Sequence, residues 1–326
     1  MGYIDLHLHL DGAVTVPIAR KLAELQGISL PAESDEELQR LLQVPPDCTS
    51  LDDFLKCFAL PGSLMQTPEG LKQAVKLVIE DLESQGVVYA EIRFAPQFHV
   101  SGGMTQEDAV QAALEGLRDI NDRSGIHANL ILCLMRLAGN EQANLETLRL
   151  AERYLVPDGG VVAIDLAGAE ALYPTKDYED IFKQAAQADI PYTIHAGEAD
   201  GADSVRAAVD FGARRIGHGV RSTEDPELLR LLAEQRITLE MCPTSNRQTH
   251  AVEDMSSYPL IRFMEAGIPV TLNTDDPAIE GTTIAEEFTY MEKLLGLGEE
   301  QRKQLYINAV DAAFTTDEIK QKLLSF

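Results

Sequence analysis

The chain has 326 residues, of which 45% are hydrophobic and 25% are charged, as is typical of a globular enzyme. Lys and Arg number 27 against 53 Asp and Glu, and the formal net charge of −26 disfavours nucleic acid or an anionic membrane as a partner, because both would be repelled. The four cysteines show no regular spacing, and no apolar run is long enough to cross a bilayer. We therefore expect a reduced cytoplasmic protein, without a signal peptide because the first predicted strand begins at Tyr3.

The first predicted strand, Tyr3 to Leu10, alternates strictly between polar and apolar side chains. Asp5, His7 and His9 share one face, and the isoleucine and leucine side chains between them share the other. Such a strand packs its apolar face against helices and presents its polar face to something else. The two histidines on that polar face are the first candidates for chemistry.

Between the first and second predicted strands lies a helical excursion that is longer than a usual connection. A helix begins at about Thr15, and Ser34 with Glu37 three residues later predicts the start of a second helix. In residues 45–66 the apolar positions have a spacing more typical of core packing than of a ligand pocket, with a lid over a site as the alternative interpretation. The positions concerned are Leu51, Phe54, Leu55 and Phe58.

From Thr67 onward, helical patterns alternate with short apolar strands. Strands are predicted at 87–94, 129–135, 161–166, 191–195, 215–218, 237–242 and 270–273. Eight strands alternating with seven helical patterns predict parallel βα units, and the count of eight favours a closed (β/α)8 TIM barrel over an open sheet. Helical segments after residue 283 complete the outer ring, the last of them capped by Thr315 with Glu318. No linker or repeat interrupts the pattern, so we expect one domain over residues 1–326.

Polar residues occupy the predicted carboxyl ends of four of these strands, which is where TIM barrels carry their active sites. They are His7 and His9 on the first strand, His195 on the fifth, His218 on the sixth, and Asp275 with Asp276 after the eighth. Residues two apart on a strand point to the same side, and the first and eighth strands are neighbours in a closed barrel. We therefore expect these side chains to lie together.

His7, His9, His195 and Asp275 form a donor set rich in nitrogen, which suits zinc better than magnesium or calcium. A second metal would need a bridging group such as a modified lysine after the fourth strand, and that strand ends Asp165-Leu166-Ala167-Gly168. The sequence therefore predicts one zinc ion per chain, with an open position where water ionises at a pKa of about 7. Three further histidines fit no strand end and are expected at the surface: His99, His127 and His250.

Collinear motifs spread over almost the whole chain resemble those of the adenosine deaminase family within the metal-dependent amidohydrolase superfamily. The combination of HxHLDG, HAGE and TDDP is highly specific, whereas any one of them alone would not be. The matching segments are His7–Gly12, Glu91–Phe94, Asp165–Gly168, His195–Glu198, Ile216–Gly219, Cys242–Asn246 and Asn273–Pro277.

The resemblance implies zinc-dependent hydrolysis of adenosine and 2′-deoxyadenosine to inosine and 2′-deoxyinosine plus ammonia, in purine salvage. It implies zinc ligation by His7, His9, His195 and Asp275, of which Asp275 also serves catalysis and His9 also lies against the substrate. Glu198 would donate a proton to purine N1, and His218 would orient the attacking hydroxide and stabilise its charge.

The same resemblance places further side chains around the nucleoside. Asp276 would bond the purine near N7, the Gly168 N–H would meet N3, and Asp11 would bind the ribose 5′-hydroxyl. The apolar lid of the family is matched by Leu51, Phe54, Leu55 and Phe58.

Two alternative functions differ in what they require of the sequence. A deaminase of adenine or of a modified adenosine nucleoside would share the mechanism, but adenine-specific relatives typically carry Glu at the position of Asp11. A nucleotide substrate would also need cationic phosphate contacts, and no basic cluster lies near these motifs. A catalytically silent binding protein would have lost a ligand or Glu198, and none is lost.

Overall fold

The computed structural model describes residues 2–45, 56–121 and 125–326. Its strands are β1 (Tyr3–His9), β2 (Val87–Phe94), β3 (His127–Arg136), β4 (Val161–Gly168), β5 (Thr193–Ala196), β6 (Arg215–His218), β7 (Thr238–Met241) and β8 (Val270–Leu272). Each predicted strand overlaps its observed counterpart.

Helices alternate with these strands, with additional helices between β1 and β2 and after β8. They are α1 (Val16–Gln26), α2 (Asp35–Leu42), α3 (Ala59–Leu64), α4 (Pro68–Ser84), α5 (Gln106–Asn121), α6 (Glu141–Tyr154), α7 (Glu179–Gln187), α8 (Ala202–Asp210), α9 (Pro226–Gln235), α10 (Pro243–Gln248), α11 (Leu260–Glu265), α12 (Pro277–Glu280), α13 (Ile284–Leu295), α14 (Glu299–Ala312) and α15 (Asp317–Leu323). No helix in the described ranges is long and apolar enough to cross a membrane.

The strands form two parallel ladders, β1 to β4 and β5 to β8, which join at two seams. At the first seam the Ile164 N–H donates to the carbonyl of Pro191 over 3.0 Å. At the second, the His9 N–H donates to the Asp275 carbonyl and the Asp275 N–H donates to the His7 carbonyl, each over 2.8 Å. The predicted (β/α)8 barrel is confirmed, and its second seam lies between the candidate ligands themselves.

Helix starts follow the capping residues in most of the predicted places. The Ser34 hydroxyl accepts a hydrogen bond from the Glu37 N–H at the start of α2, as predicted. At the last helix the prediction is wrong by one residue, because Thr316 caps α15. The hydroxyl of Thr315 instead donates to Asp158 over 2.5 Å, a partner far away in sequence.

The barrel interior is polar, although its outer face packs against helices in an apolar core. Buried charges are tolerable only when they are paired, and here two arginines and three carboxylates bond to one another. Glu240 accepts from Arg93 over 3.0 Å and from Arg215 over 2.5 Å, and Arg215 also donates to Glu91 over 2.5 Å. The thiols of Cys133 and Cys242 are buried and form no disulfide.

Candidate metal centre and active site

Four donor atoms from three parts of the chain converge at the carboxyl ends of β1, β5 and β8. The Nε2 atom of His195 lies 3.0 Å from Nε2 of His7 and 3.3 Å from Nε2 of His9. Asp275 Oδ1 lies 3.2 Å from His7 Nε2 and 3.4 Å from His9 Nε2. Four ligands arranged tetrahedrally around an ion at about 2.0 Å are about 3.3 Å apart, so the spacing fits a single metal ion.

The hydrogen bonds on the far side of two rings select, for the neutral imidazoles that bind metals, the tautomer whose inward nitrogen is unprotonated. His7 Nδ1 lies 2.8 Å from Glu240, and His195 Nδ1 lies 2.9 Å from Asp165. Because an ionised carboxylate only accepts, each Nδ1 donates and each Nε2 presents a lone pair. Two lone pairs facing each other at 3.0 Å repel unless a cation lies between them, so these residues fit a metal ion.

Arg93 links the two carboxylates that hold these rings. One of its nitrogens donates to Asp165 over 2.9 Å and another donates to Glu240 over 3.0 Å. Burial opposes ionisation of Asp165, but the His195 ring and the Arg93 guanidinium outweigh it and hold the pKa of Asp165 below its usual range. Both carboxylates therefore remain charged beneath the donor set.

His218 has a ring nitrogen within 4.8 Å of ligand atoms of His7, His195 and Asp275, and its Nδ1 is engaged in a hydrogen bond. The Asn246 amide donates to His218 Nδ1 over 3.0 Å, and the Tyr258 hydroxyl fixes that amide by donating to its oxygen over 2.8 Å. His218 therefore carries its proton on Nε2, which lies 3.6 Å from Glu198 and 3.8 Å from Asp275 Oδ2. In this tautomer the Nε2 atom carries a proton that it can donate.

Backbone conformation concentrates strain at this point of the barrel. His218 has φ 61° and Asp275 has φ 68°, in the left-handed region that side chains other than glycine rarely occupy. Both residues lie directly at or after strand ends, where the chain turns to present a side chain over the barrel axis.

Glu198 follows β5 in a loop and is mostly buried. The Thr249 hydroxyl donates to Glu198 Oε1 over 3.1 Å, while Oε2 faces His218. Burial raises the pKa of Glu198, and the negative charges of Asp275 and Glu170 raise it further, although His218 acts in the opposite direction. The site therefore favours a Glu198 carboxyl that can hold a proton.

The remaining predicted contacts lie around Asp276. Its Oδ1 is buried and has no hydrogen-bond partner within the described ranges, and burial raises its pKa. Oxygens of Asp276 and Asp11 and a ring nitrogen of His9 lie within 4.8 Å of one another. Gly12 packs so closely that a Cβ there would stand 1.8 Å from Asp276 Oδ1. Gly168 ends β4 with φ 98° and is exposed.

Predictions for the lid and for the remaining histidines have mixed outcomes. Leu51, Phe54 and Leu55 lie outside the described residues, whereas Phe58 packs against Val44, Cys57 and Ile279 near α12. The surface prediction is right for His250, which is exposed. It is wrong for His99, which is buried and has its Nδ1 atom 3.2 Å from the Met65 carbonyl. His127 lies between these two cases: it is half-buried, and its Nε2 atom is 2.8 Å from Asp158.

Several side chains that orient the site receive no role from the sequence: Asp165, Glu170, Glu240, Asn246 and Thr249. A signal existed for two of them, because a lone carboxylate within an apolar strand pattern must find a buried partner. Asp165 lies in β4, where the sequence identifies it only as part of a strand end and a matching motif, and Glu240 lies in β7, which is predicted only as a strand.

A closed parallel barrel whose strand ends bring together three imidazoles and a carboxylate defines the class of metal-dependent barrel hydrolases. The chain belongs to the adenosine deaminase family, because the family model described as adenosine deaminase matches residues 3–326. It is therefore a hydrolase of the deaminating kind, and the family resemblance of its motifs is confirmed.

Individual relatives agree with this family assignment. The chain is 48% identical over 326 residues to an adenosine deaminase of Haemophilus ducreyi, covering 99% of this chain and 95% of the relative. Among solved structures, the adenine deaminase from Arthrobacter aurescens is 29% identical with a TM-score of 0.88, covering 99% of this chain and 96% of that one. The apo N6-methyl-AMP deaminase from Arabidopsis thaliana is 28% identical with a TM-score of 0.83, covering 100% and 95%.

Proposed function

We propose that this chain hydrolyses adenosine and 2′-deoxyadenosine to inosine and 2′-deoxyinosine, releasing ammonia, with one zinc ion bound. The observation that carries the proposal is the position of the Glu198 carboxyl, 3.6 Å from the His218 donor nitrogen and above the converging donor set. Attack of water at C6 of a 6-aminopurine needs an acid for the ring and a donor for the attacking oxygen, and these two side chains supply them.

His7, His9, His195 and Asp275 would hold the ion, and their nitrogen-rich chemistry favours zinc. When bound, the ion supplies Lewis acidity that makes water a nucleophile near neutral pH. Side chains of the protein hold and move the protons in the remaining steps.

Glu198 gives the proton on its carboxyl to purine N1, which makes C6 more electrophilic, and then takes the proton of the new C6 hydroxyl and passes it to the departing amine. The Nε2–H of His218 donates to the attacking oxygen and stabilises the charge that develops there. Asp275 Oδ2, 3.8 Å from that nitrogen, accepts the proton that the attacking water loses. The proton that Asp275 takes from the attacking water returns to Glu198 and restores the starting state. These groups are fixed before substrate arrives, so little reorganisation is needed during the reaction.

The other contacts orient the nucleoside. Asp276 faces purine N7 with its unpartnered oxygen, and the Gly168 N–H meets N3 at the end of β4. Asp11 binds the ribose 5′-hydroxyl, while His9 lies against the substrate as well as the ion. Phe58, which packs against Ile279, covers the nucleoside.

We propose that residues 1–326 act as one domain and that the reaction serves purine salvage in the cytoplasm. The free buried thiols of Cys133 and Cys242 support a reducing compartment.

The test measures ammonia release from adenosine, 2′-deoxyadenosine, adenine and AMP, before and after chelation and zinc replenishment. We expect chelator-sensitive turnover of the two nucleosides only. Turnover of adenine or AMP alone would overturn the assignment of Asp11 and favour the activities for which the two structural neighbours are named. Unchanged turnover after complete metal removal would overturn the role of the ion.

A further inference from the structure

Glu170 lies two residues beyond β4 and is only 3% exposed, and no side chain assigned to substrate or metal bonds its carboxylate within the described residues. Instead the carboxylate accepts hydrogen bonds from consecutive backbone N–H groups of the loop after β5. The donors are Gly197 at 2.7 Å, Glu198 at 3.1 Å, Ala199 at 2.8 Å and Asp200 at 3.0 Å.

A loop between a strand and a helix leaves backbone N–H groups without ladder partners, and these must bond elsewhere when buried. Successive N–H groups that point inward form a concave nest for an anion, and here the anion is a side chain of the neighbouring βα loop. Gly197 makes the tight turn possible: it has φ 73°, and a Cβ there would stand 2.5 Å from a Val205 methyl group. One carboxylate therefore accepts from all four of these loop N–H groups, while the carbonyls of Gly197 and Glu198 accept from the backbone and side chain of Arg221, each over 3.0 Å.

Glu170 is itself fixed from the opposite side. The Ser204 hydroxyl donates to its Oε1 over 2.5 Å, and Thr175 lies 2.6 Å from the same Ser204 oxygen. Arg136 donates to the Thr175 hydroxyl over 2.9 Å and to the His195 carbonyl over 2.6 Å. Hydrogen bonds therefore connect Glu170, through Ser204, Thr175 and Arg136, to the backbone at the end of β5.

We propose that Glu170 is the positioning residue for Glu198: its carboxylate holds loop 197–200 in the conformation that brings the Glu198 carboxyl beside His218. This inference rests on the proposed function, in which Glu198 is the proton donor. Glu170 does not touch substrate: it acts on Glu198 through the loop backbone and through the field of its negative charge, and only the first of these is reported by exchange of the loop amides.

Glu170→Gln nearly preserves the shape of the side chain but replaces one of its two acceptor oxygens with an NH2 group. It therefore tests whether both acceptors are needed. Whichever way the amide turns, its NH2 faces backbone donors, because one carboxylate oxygen serves Gly197 and the other serves the next three N–H groups. A shift of about 1 Å in a reacting group can cost about 100-fold in rate, so we expect kcat to fall about 100-fold. Bound zinc should stay at one per chain, because Asp165 holds His195 independently.

Ser204→Ala is the matched control, since it removes one donor to the same carboxylate and leaves the four backbone bonds. We expect it to change kcat by less than about threefold. Glu170→Asp keeps two charged oxygens and should retain more activity than Gln. It also carries the test if the Gln variant does not fold.

The decisive measurements are a double-mutant comparison and hydrogen exchange. If Glu170 acts through Glu198, Glu170→Gln should lower kcat no further in a Glu198→Gln background. Amides 197–200 should exchange faster in Glu170→Gln, with no such change in Ser204→Ala. Additive losses in the double variant, loss of zinc, or unchanged exchange would each overturn the proposal.

The exchange measurement needs no substrate, so it separates this proposal from the proposed function. Wild-type protein inactive on adenosine with loop amides protected by Glu170 would overturn only the proposed function. An active wild-type enzyme whose Glu170→Gln variant keeps protected amides and wild-type kcat would overturn only the role of Glu170.

Discussion

Asp165→Asn should weaken metal binding without touching a ligand. Asp165 is fully buried, accepts from His195 Nδ1 over 2.9 Å, and accepts from Arg93 over 2.9 Å. If the new amide oxygen serves these donors, its NH2 faces the Leu166 N–H, which now donates to Asp165 over 2.7 Å. If the amide turns round, its NH2 faces the His195 ring and favours the tautomer whose Nε2 carries a proton and cannot bind metal.

The size of the effect follows from the bond that is lost. A hydrogen bond to a charged group contributes about 1.5–3 kcal/mol, and every 1.4 kcal/mol is about tenfold in affinity. Replacing a carboxylate that orients a ligating histidine typically costs about 10- to 100-fold in metal affinity, which agrees with that range. We therefore expect the zinc dissociation constant to rise about 10- to 100-fold.

The assay is competition for zinc between the apoprotein and a chromophoric chelator. Asp5→Asn is the control, because Asp5 is equally buried but bonds the His7 backbone N–H and the Thr274 hydroxyl rather than a ring nitrogen. A dissociation constant for Asp165→Asn within twofold of wild type would refute the reasoning. So would an equal rise in Asp5→Asn, which would show a general response to losing a buried charge.

Three further outcomes are expected. Glu198→Gln should keep zinc at one per chain and lose most turnover, because the donor set is intact and the acid is gone; near wild-type rates or loss of zinc would contradict this role. Gly12→Ala should lower kcat/KM strongly, since its Cβ would stand 1.8 Å from Asp276 Oδ1 and displace that carboxyl; unchanged kinetics would show that the pocket has room. Burial raises the pKa of Glu287 from 4.5 to about 7, so its contribution to the free energy of unfolding is full below pH 4.5 and is lost as the pH rises through about 7. Urea titrations across this range should show a shallower pH dependence in Glu287→Gln, and identical slopes would refute the assignment.

Much of the site was predictable because local periodicity determines which way side chains point. Strict alternation over β1 placed His7 and His9 on one face, and the strand-helix rhythm placed His195, His218 and Asp275 at strand ends. Motif resemblance then assigned roles that spacing alone left open.

The sequence by itself therefore determined the barrel, the family and the residues that converge, since each depends on patterns within a few residues of chain. Only the tertiary structure decided which side chains form hydrogen bonds with these converging residues. Glu240 reaches His7 across the barrel, Asn246 sets the His218 tautomer, and Glu170 binds a loop from the neighbouring βα unit. The last helix is capped by Thr316 rather than by the predicted Thr315, because the Thr315 hydroxyl donates to the distant carboxylate of Asp158. Buried polar groups need hydrogen-bond partners, and in a closed barrel these partners come from strands and loops that are far apart in sequence. A pattern within a few residues cannot predict which of them meet.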